Sequence, residues 1–367
     1  MLKSIAIYPC LDYKDRIQQW KDYLELAQRH GFNEVFTSVH LPEMTLVDQL
    51  NSLQALSELL LEFDMKLTVD IGGKYIKEVL NNEDHIATLN GCHINFIRLD
   101  YGYDHLDVER LYESVKIDGF VVNASIYKQA EIDQEIQFLK SLDQDILIKA
   151  CHNFYPCPET GLDKAFALSQ QRYFASKDIP VYYCVPSQKY PRGPLFIGLP
   201  TIEAHRYTSI SSVIIDLINN YACQAILLAD VLYTSYDFEQ IDAILNFKPL
   251  IIPIVFNEKA TDIEKSLVLK THQFRYDSNV SLLRSKTSRV MASFELDVNP
   301  NNCIERPCGS IIILNTNSAR YSGEMQVILQ DRQASSYGNV VGKIDAYGLE
   351  LLAYHRFGYV YQFEELK

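Results

Sequence analysis

Short apolar runs and helical segments alternate eight times along the first two thirds of the chain, and this alternation restricts the possible folds more than any other feature. The runs are SIAIYP, EVFTSVH, KLTVDI, NFIRLD, GFVVNAS, DILIKAC, PVYYCVP and AILLAD, which start near residues 4, 34, 66, 95, 119, 145, 180 and 225. They lack strict polar alternation, which is typical of strands buried on both faces. Between the first two runs, Trp20, Leu24 and Ala27 stand at helical spacing. Eight strand–helix units predict an α/β fold, a (β/α)8 barrel of the TIM type.

An open, doubly wound sheet is the alternative arrangement of such units. Its dinucleotide-binding form requires a glycine-rich phosphate loop after the first strand. This chain has IYPCLDYK there, so that class lacks its main sequence signal. We therefore expect a barrel, with a catalytic role, over residues 1–248.

After the barrel, the chain changes to shorter candidate strands separated by Asn, Pro and Gly. These candidate strands are RVMASFEL, SIIILNT, GEMQVILQD and NVVGKI. Short strands with such punctuation predict a second, small and mainly β domain over residues 249–367.

The charge of the chain restricts its partners. The 34 Lys and Arg against 47 Asp and Glu give a net charge of -13 over 367 residues. Nucleic acids and anionic membrane surfaces bind basic surfaces, so neither is an expected partner. A small anionic substrate needs only a local cluster of basic groups, so it remains compatible with this composition.

The cysteines and the apolar segments bear on cofactor and location. The eight cysteines are scattered without a C-x-x-C pair, which predicts reduced core thiols and no zinc site. The first apolar run is too short for a signal peptide, and the stretch around 213–228 is interrupted by Asp216, Asn219 and Asn220. We expect a cytoplasmic protein that needs no metal and no cofactor.

Polar side chains follow most of the predicted strands. Catalytic groups of a (β/α)8 barrel stand at the carboxyl ends of its strands. The polar residues there include Tyr8, residues 37–40, Asp70, Arg98, Asp100, Asn123, Ser125, Lys149, His152, Asn153 and Asp230. Any one of them could be a helix cap or a structural ion pair. Their presence at most strand ends indicates a site, so Tyr8, Arg98, Asn123, Lys149 and Asp230 are predicted to bind substrate.

Asp70 and Asp100 form the candidate catalytic pair. Each follows an apolar strand and precedes a glycine-containing turn, in LTVDIGG and FIRLDYG, which directs both toward the same mouth. Two carboxylates are the minimum requirement for most glycoside hydrolysis, because one donates a proton while the other activates water, attacks carbon or stabilises the cation. The alternative is that Asp100 pairs with Arg98, two residues earlier on the same strand face.

The segment CHNFYPCPETGL, residues 151–162, is the densest polar motif. Its prolines and glycine indicate an ordered loop after the sixth strand, and such loops commonly face a ligand. Its predicted substrate-binding residues are His152, Asn153, Tyr155 and Glu159. The alternative is a purely structural role in the rigidity of this loop.

A second dense segment, GLPTIEAHR, spans residues 198–206. It places Glu203, His205 and Arg206 near the last two strands, where this architecture often binds phosphate. These three residues are predicted to bind substrate. The alternative is a helix start, with Thr201 as its cap.

In matching order from residue 4 to the end, the segments SIAIYP, FTSVHLPE, IRLDYG, VVNAS, HNFYPCPETGL, GLPTIEAHR, RYSGEMQVILQD and NVVGKID together resemble a known family. This is the bacterial outer-surface-protein-like family that includes the 6-phospho-N-acetylmuramidases. The resemblance implies a TIM-type barrel followed by a cyclophilin-like β domain. It also implies hydrolysis of 6-phospho-N-acetylmuramyl-N-acetylglucosamine, delivered to the cytoplasm by a phosphotransferase system, for cell-wall recycling.

Two other functions remain open from the residues alone. The first is a metal-dependent sugar-phosphate isomerase or epimerase, because carboxylates and histidines at a barrel mouth suit hard cations. Its candidate ligands are Asp100, His152, Glu159, Glu203, His205 and Asp230. The second is a sugar-phosphate-binding protein built on an inactive barrel.

Overall fold

The computed structural model describes residues 1–291, 297–354 and 359–366. The chain divides into two compact units, one formed by residues 1–210 and 217–238 and the other by residues 211–216 and 239–367. The domain boundary expected at residue 248 remains a prediction. No helix within the described ranges is long and apolar enough to cross a membrane.

The first unit contains a closed barrel of eight parallel strands in sequential order. The strands are β1 (Leu2–Ala6), β2 (Glu34–Ser38), β3 (Lys66–Ile71), β4 (Phe96–Leu99), β5 (Gly119–Asn123), β6 (Leu147–Cys151), β7 (Val181–Val185) and β8 (Ala225–Leu228). Leu2 of β1 pairs with Ala225 of β8 and closes the ring. The predicted barrel is confirmed, and the open sheet is wrong.

Helices connect the strands, with two of them between β3 and β4. They are α1 (Tyr13–Arg29), α2 (Leu46–Phe63), α3 (Gly73–Leu80), α4 (Glu83–Gly91), α5 (His105–Ser114), α6 (Gln129–Leu142), α7 (Lys164–Ala175), α8 (Ile210–Tyr221) and α9 (Ser235–Leu245). α1 buries Trp20, Leu24 and Ala27, as its spacing predicts. Thr45 precedes α2 and caps it, because its hydroxyl accepts a hydrogen bond from the Asp48 N–H and satisfies one free donor of the first turn.

The apolar barrel interior contains a buried polar cluster around Glu34. Phe36, Phe96 and Tyr182 are among its core residues. Lys149 Nζ lies 2.5 Å from Glu34 Oε2 and 3.7 Å from the centre of the Phe96 ring. Tyr182 donates a hydrogen bond to the same carboxylate at 3.1 Å. Glu34 begins β2, so Lys149 points toward the amino end of that strand, away from the mouth where a substrate role was predicted.

The second unit contains a seven-stranded sheet in the order β10-β15-β9-β14-β12-β13-β11. Its strands are β9 (Leu250–Phe256), β10 (Thr271–His272), β11 (Leu282–Arg284), β12 (Ser310–Leu314), β13 (Met325–Ile328), β14 (Gly338–Ile344) and β15 (Tyr361–Glu365), and its helices are α10 (Asp262–Val268), α11 (Ser288–Met291) and α12 (Ala346–Ala353). All its strand pairs are antiparallel except β15 with β9.

Three of the four candidate strands of this mainly β unit correspond to β12, β13 and β14. The fourth, RVMASFEL, begins inside α11. Its residues 292–296 lie outside the described residues.

Candidate active site

Asp70 and Asp100 lie together at the carboxyl ends of β3 and β4, as predicted. The strand register pairs Asp70 with Arg98. Arg98 NH1 lies 2.6 Å from Asp70 Oδ1 and 3.3 Å from Asp100 Oδ1, so these two oxygens are at most 5.9 Å apart, the sum of the two distances. The alternative pairing of Asp100 with Arg98 is therefore present as well, and one guanidinium joins both carboxylates.

Arg98 is the buried cation of this cluster, with only 4% of its surface exposed. Burial disfavours its charged form, but the attraction of Asp70 and Asp100 outweighs burial and raises the pKa of Arg98. The guanidinium therefore stays charged. One positive charge stands against two carboxylates, which leaves the cluster negative when both are ionised.

His40 contacts both carboxylates, although the sequence analysis predicts no individual role for it. Its Nε2 lies 3.6 Å from Asp70 Oδ2 and 3.7 Å from Asp100 Oδ2. Its Nδ1 lies 3.3 Å from the backbone oxygen of Asp70. Its position in the sequence could have identified it, because His40 is the last residue of the polar segment 37–40 at the end of β2.

Two asparagines extend the cluster across β5 and β6. Arg98 NH2 donates to Asn153 Oδ1 at 2.5 Å. Asn123 Nδ2 donates to the same oxygen at 2.9 Å and to Asp100 Oδ1 at 3.2 Å. These contacts fix the side chains of four consecutive strands relative to one another.

His152 supports this network from behind. Its Nδ1 lies 3.0 Å from the Ser125 hydroxyl oxygen, which accepts a hydrogen bond from the Asn153 N–H at 2.9 Å. Burial, with a smaller contribution from Arg98, lowers the pKa of His152 to about 3. The ring is therefore neutral near pH 7 and positions its neighbours without carrying a charge.

The cluster opens into a cavity of about 300 Å³, at the lower end of the range for small-molecule sites. Asp70, Arg98, Asp100, His152 and Asn153 line it together with His40. Its apolar lining includes Phe36, Tyr101, Ile126, Phe154 and Leu227. Convergent polar groups beside aromatic surfaces can bind a sugar ring.

Gly73, at the start of α3, brings the loops after the two aspartates together. Its N–H donates to the backbone oxygen of Tyr101 at 3.0 Å. A Cβ on Gly73 would stand 1.8 Å from the backbone oxygen of Gly102, so no other residue fits without moving one loop. The second glycine of the IGG segment is thus a close-approach position.

Glu203 and Arg206 hold the loop after β6 and do not line the cavity. Arg206 is fully buried, and its five N–H donors bind Glu203 twice and the backbone oxygens of Tyr155, Cys157 and Gly198. Glu203 also accepts the N–H groups of Glu159 and Gly161 at 2.9 and 2.8 Å. Mainly through Arg206, the pKa of Glu203 falls to about 2.

The other three residues predicted in these loops are His205, Tyr155 and Glu159. His205 is buried, with its ring edge-to-face against Tyr221. Burial raises the pKa of Tyr155, with a smaller opposing contribution from Ser125. Glu159 is exposed, in the left-handed region at φ 67°.

Asp230 anchors the long loop after β7. Its carboxylate accepts the N–H groups of Ser187 and Arg192 at 2.7 Å and that of Leu199 at 3.1 Å. Burial raises the pKa of Asp230, although these three hydrogen bonds oppose the shift. Tyr8 stands nearby, and its hydroxyl donates to the Ala229 backbone oxygen at 2.8 Å.

Three of the residues considered as metal ligands are instead bound by other groups of the protein. Glu203 binds Arg206, Asp230 binds backbone N–H groups, and Asp100 binds Arg98. Within the described ranges, no group of three or more His, Cys, Asp or Glu side chains is placed to hold a metal ion.

Comparison with known proteins adds two family matches. Residues 4–243 match the family model described as 6-phospho-N-acetylmuramidase, N-terminal, and residues 250–364 match the corresponding C-terminal model. A search of curated proteins returned no significant match.

Two solved structures share the fold. A conserved Enterococcus faecalis protein of unknown function is 23% identical over 100% of this chain and 96% of its own, with a TM-score of 0.78. An uncharacterized B. cereus protein is 23% identical over 99% of both chains, with a TM-score of 0.72.

Proposed function

Because this chain belongs to the 6-phospho-N-acetylmuramidase family and is thus a glycoside hydrolase, we propose that it cleaves 6-phospho-N-acetylmuramyl-N-acetylglucosamine. The products are N-acetylmuramic acid 6-phosphate and N-acetylglucosamine. The proposal places the reaction in the cytoplasm, in the recycling of peptidoglycan, and gives the second domain a cyclophilin-like architecture. That architecture carries no activity of its own in this proposal, because fold does not fix function.

The close pair of carboxylates is the observation that supports the chemistry. Asp70 Oδ1 and Asp100 Oδ1 lie 2.6 and 3.3 Å from one nitrogen of Arg98, hence at most 5.9 Å apart. Inverting glycosidases separate their carboxyl groups by roughly 6.5–9.5 Å to admit water, whereas retaining enzymes use about 5–5.5 Å. The bound on these two oxygens lies below the inverting range, and we therefore propose direct attack on the anomeric carbon, by a carboxylate or by the 2-acetamido group of the sugar, in preference to water activation.

We assign the proton donor to Asp100. Its side chain is 16% exposed against 5% for Asp70, and its contact with Arg98 is the longer one. Asp100 protonates the leaving oxygen of N-acetylglucosamine and later takes a proton from the incoming water. Asp70, held by Arg98, stabilises the cationic transition state, as the nucleophile or by orienting the acetamido group. The His40 ring contacts both carboxylates and positions them for these two roles.

A product assay tests the proposal. The purified protein is incubated with the phosphorylated disaccharide, and free N-acetylglucosamine is measured by mass spectrometry. We expect release with and without a chelator, and a loss of roughly 10²- to 10⁴-fold in kcat for Asp70→Asn and for Asp100→Asn. The exposed Asp84→Asn is the matched control and should turn over normally. Near-normal turnover in both site variants would overturn the assignment, and the absence of release by the unmodified protein would overturn the substrate.

A further inference from the structure

Among the described residues that line the catalytic cavity, there is no lysine and no arginine other than Arg98. Arg98 already binds Asp70 and Asp100, and a phosphomonoester carries about -1.5 to -2 charges near pH 7. The five donors of Arg206 are all used by Glu203 and by the backbone oxygens of Tyr155, Cys157 and Gly198. A phosphorylated sugar therefore needs a cation elsewhere at the barrel mouth.

A second pocket of about 230 Å³ lies beside β1 and contains two arginines, Arg16 and Arg192. Tyr8 lines this pocket, and its ring packs edge-to-face with that of Phe36, with ring centres 6.5 Å apart. Phe36 lines the catalytic cavity. The two pockets are thus neighbours, separated by one aromatic pair.

The guanidinium N–H groups of Arg192 are available to a ligand, although the side chain is mostly buried. Its side chain is 17% exposed, and its nearest carboxylate oxygen, on the exposed Glu43, lies 3.9 Å away. Among the described residues, its guanidinium makes no hydrogen bond. Such a planar group with free N–H donors matches the geometry of phosphate oxygens.

The position of Arg192 is fixed by its surroundings. Its guanidinium carbon lies 3.7 Å from the centre of the Tyr8 ring, and its backbone N–H donates to Asp230 at 2.7 Å. The Tyr8 hydroxyl is bound in turn to the Ala229 backbone oxygen. Because the side chain is held before any ligand arrives, binding costs little ordering entropy. Tyr8 and Asp230, both predicted as substrate-binding residues, position Arg192 in this arrangement.

We propose that Arg192, with Arg16 across the same pocket, forms a phosphomonoester-binding subsite next to the catalytic cavity. Arg16 is the weaker contributor, because it is 43% exposed and paired with Asp12. The identity of the phosphomonoester rests on the proposed function. The binding of a phosphate dianion at Arg192 does not.

The first test compares two substrates, a chromogenic N-acetylmuramide and its 6-phosphate. For Arg192→Gln we expect kcat/KM on the phosphorylated substrate to fall by roughly 10- to 100-fold, mainly through KM, with activity on the other substrate within about twofold. Arg192→Lys keeps the charge without the fork and should fall between. Arg29→Gln, an exposed arginine of α1 paired with Glu25, is the control and should match the unmodified protein. An equal loss on both substrates, or no loss on the phosphorylated one, would overturn the subsite.

The second test is independent of hydrolysis. Binding of inorganic phosphate is measured by calorimetry for the unmodified protein, Arg192→Gln and Arg29→Gln. Binding that Arg192→Gln weakens by at least about tenfold supports the subsite, even if neither muramide is hydrolysed and the proposed function fails. Equal binding by all three proteins, or none by the unmodified protein, overturns the subsite and leaves the proposed function standing.

Discussion

Replacing Glu203 with Gln should destabilise the barrel in a pH-dependent way. Glu203 binds the buried Arg206 through Nε and NH2, at 2.7 and 2.6 Å, and accepts two backbone N–H groups from the loop after β6. Glutamine keeps the shape but removes the charge and turns an NH2 group toward donors. Arg206 is then left without its counter-ion in a dry environment.

Two estimates set an upper limit on the loss at pH 7. Removing one partner of a buried pair costs about 3–5 kcal/mol. The pKa of Glu203 moves from 4.5 to about 2, which corresponds to about 3 kcal/mol at 1.36 kcal/mol per unit. The Glu203 side chain is 30% exposed, so solvent screening reduces both values. We expect a loss of about 2 kcal/mol in the free energy of unfolding.

The assay is urea unfolding followed by tryptophan fluorescence. Trp20 is the single tryptophan of the chain and is buried in α1, so its signal reports on the barrel. Because the pKa of Glu203 is lower in the folded state, its contribution is complete above about pH 4.5 and disappears as the pH falls toward 2. The difference between the two proteins should therefore shrink over that range. The exposed Glu25→Gln should leave the midpoint unchanged. Equal stability at pH 7, or a difference independent of pH, would refute this account of Glu203.

Three further substitutions test the site and its support. His40→Asn removes the ring that contacts both carboxylates, so kcat should fall by roughly 10²-fold with a changed pH–rate profile and little change in KM; an unchanged profile would contradict the role. Lys149→Met leaves the buried carboxylate at the start of β2 unpaired, so urea unfolding should show a loss of about 3 kcal/mol, and an unchanged midpoint would contradict this. Gly73→Ala places a Cβ against Gly102, so kcat and stability should both fall, whereas Gly91→Ala, with open space around its Cβ, should keep normal kcat; equal kcat in both would contradict the close approach.

The barrel was predictable because five of its eight strands are buried along their whole length, and the other three are buried toward their carboxyl ends. Each apolar run therefore carries its own signal, independent of which strand it pairs with. The second unit gives a weaker signal. Its parallel pair of β9 with β15 joins segments about 110 residues apart in sequence, and no local pattern encodes such a pairing.

The carboxylate cluster was predictable because Asp70 and Asp100 end neighbouring strands. The roles of Glu203 and Asp230 were not, because their partners are an arginine and backbone N–H groups of distant loops. Side chains alternate between the two faces of a strand, and that of Lys149 in β6 points into the barrel. There it reaches Glu34 at the amino end of β2. A strand-end position thus predicts proximity to the mouth, but it does not predict which partner a side chain finds.

The three hydrogen bonds of Asp230 have a consequence for redesign of the protein. The N–H groups of both Arg192 and Leu199 bind this one carboxylate. The segment 193–198 is therefore a loop whose two ends are held in place. Its tip presents Leu195 and Phe196 to solvent. Sequence libraries confined to this tip can therefore vary the rim of the barrel mouth while the residues at its base keep their positions.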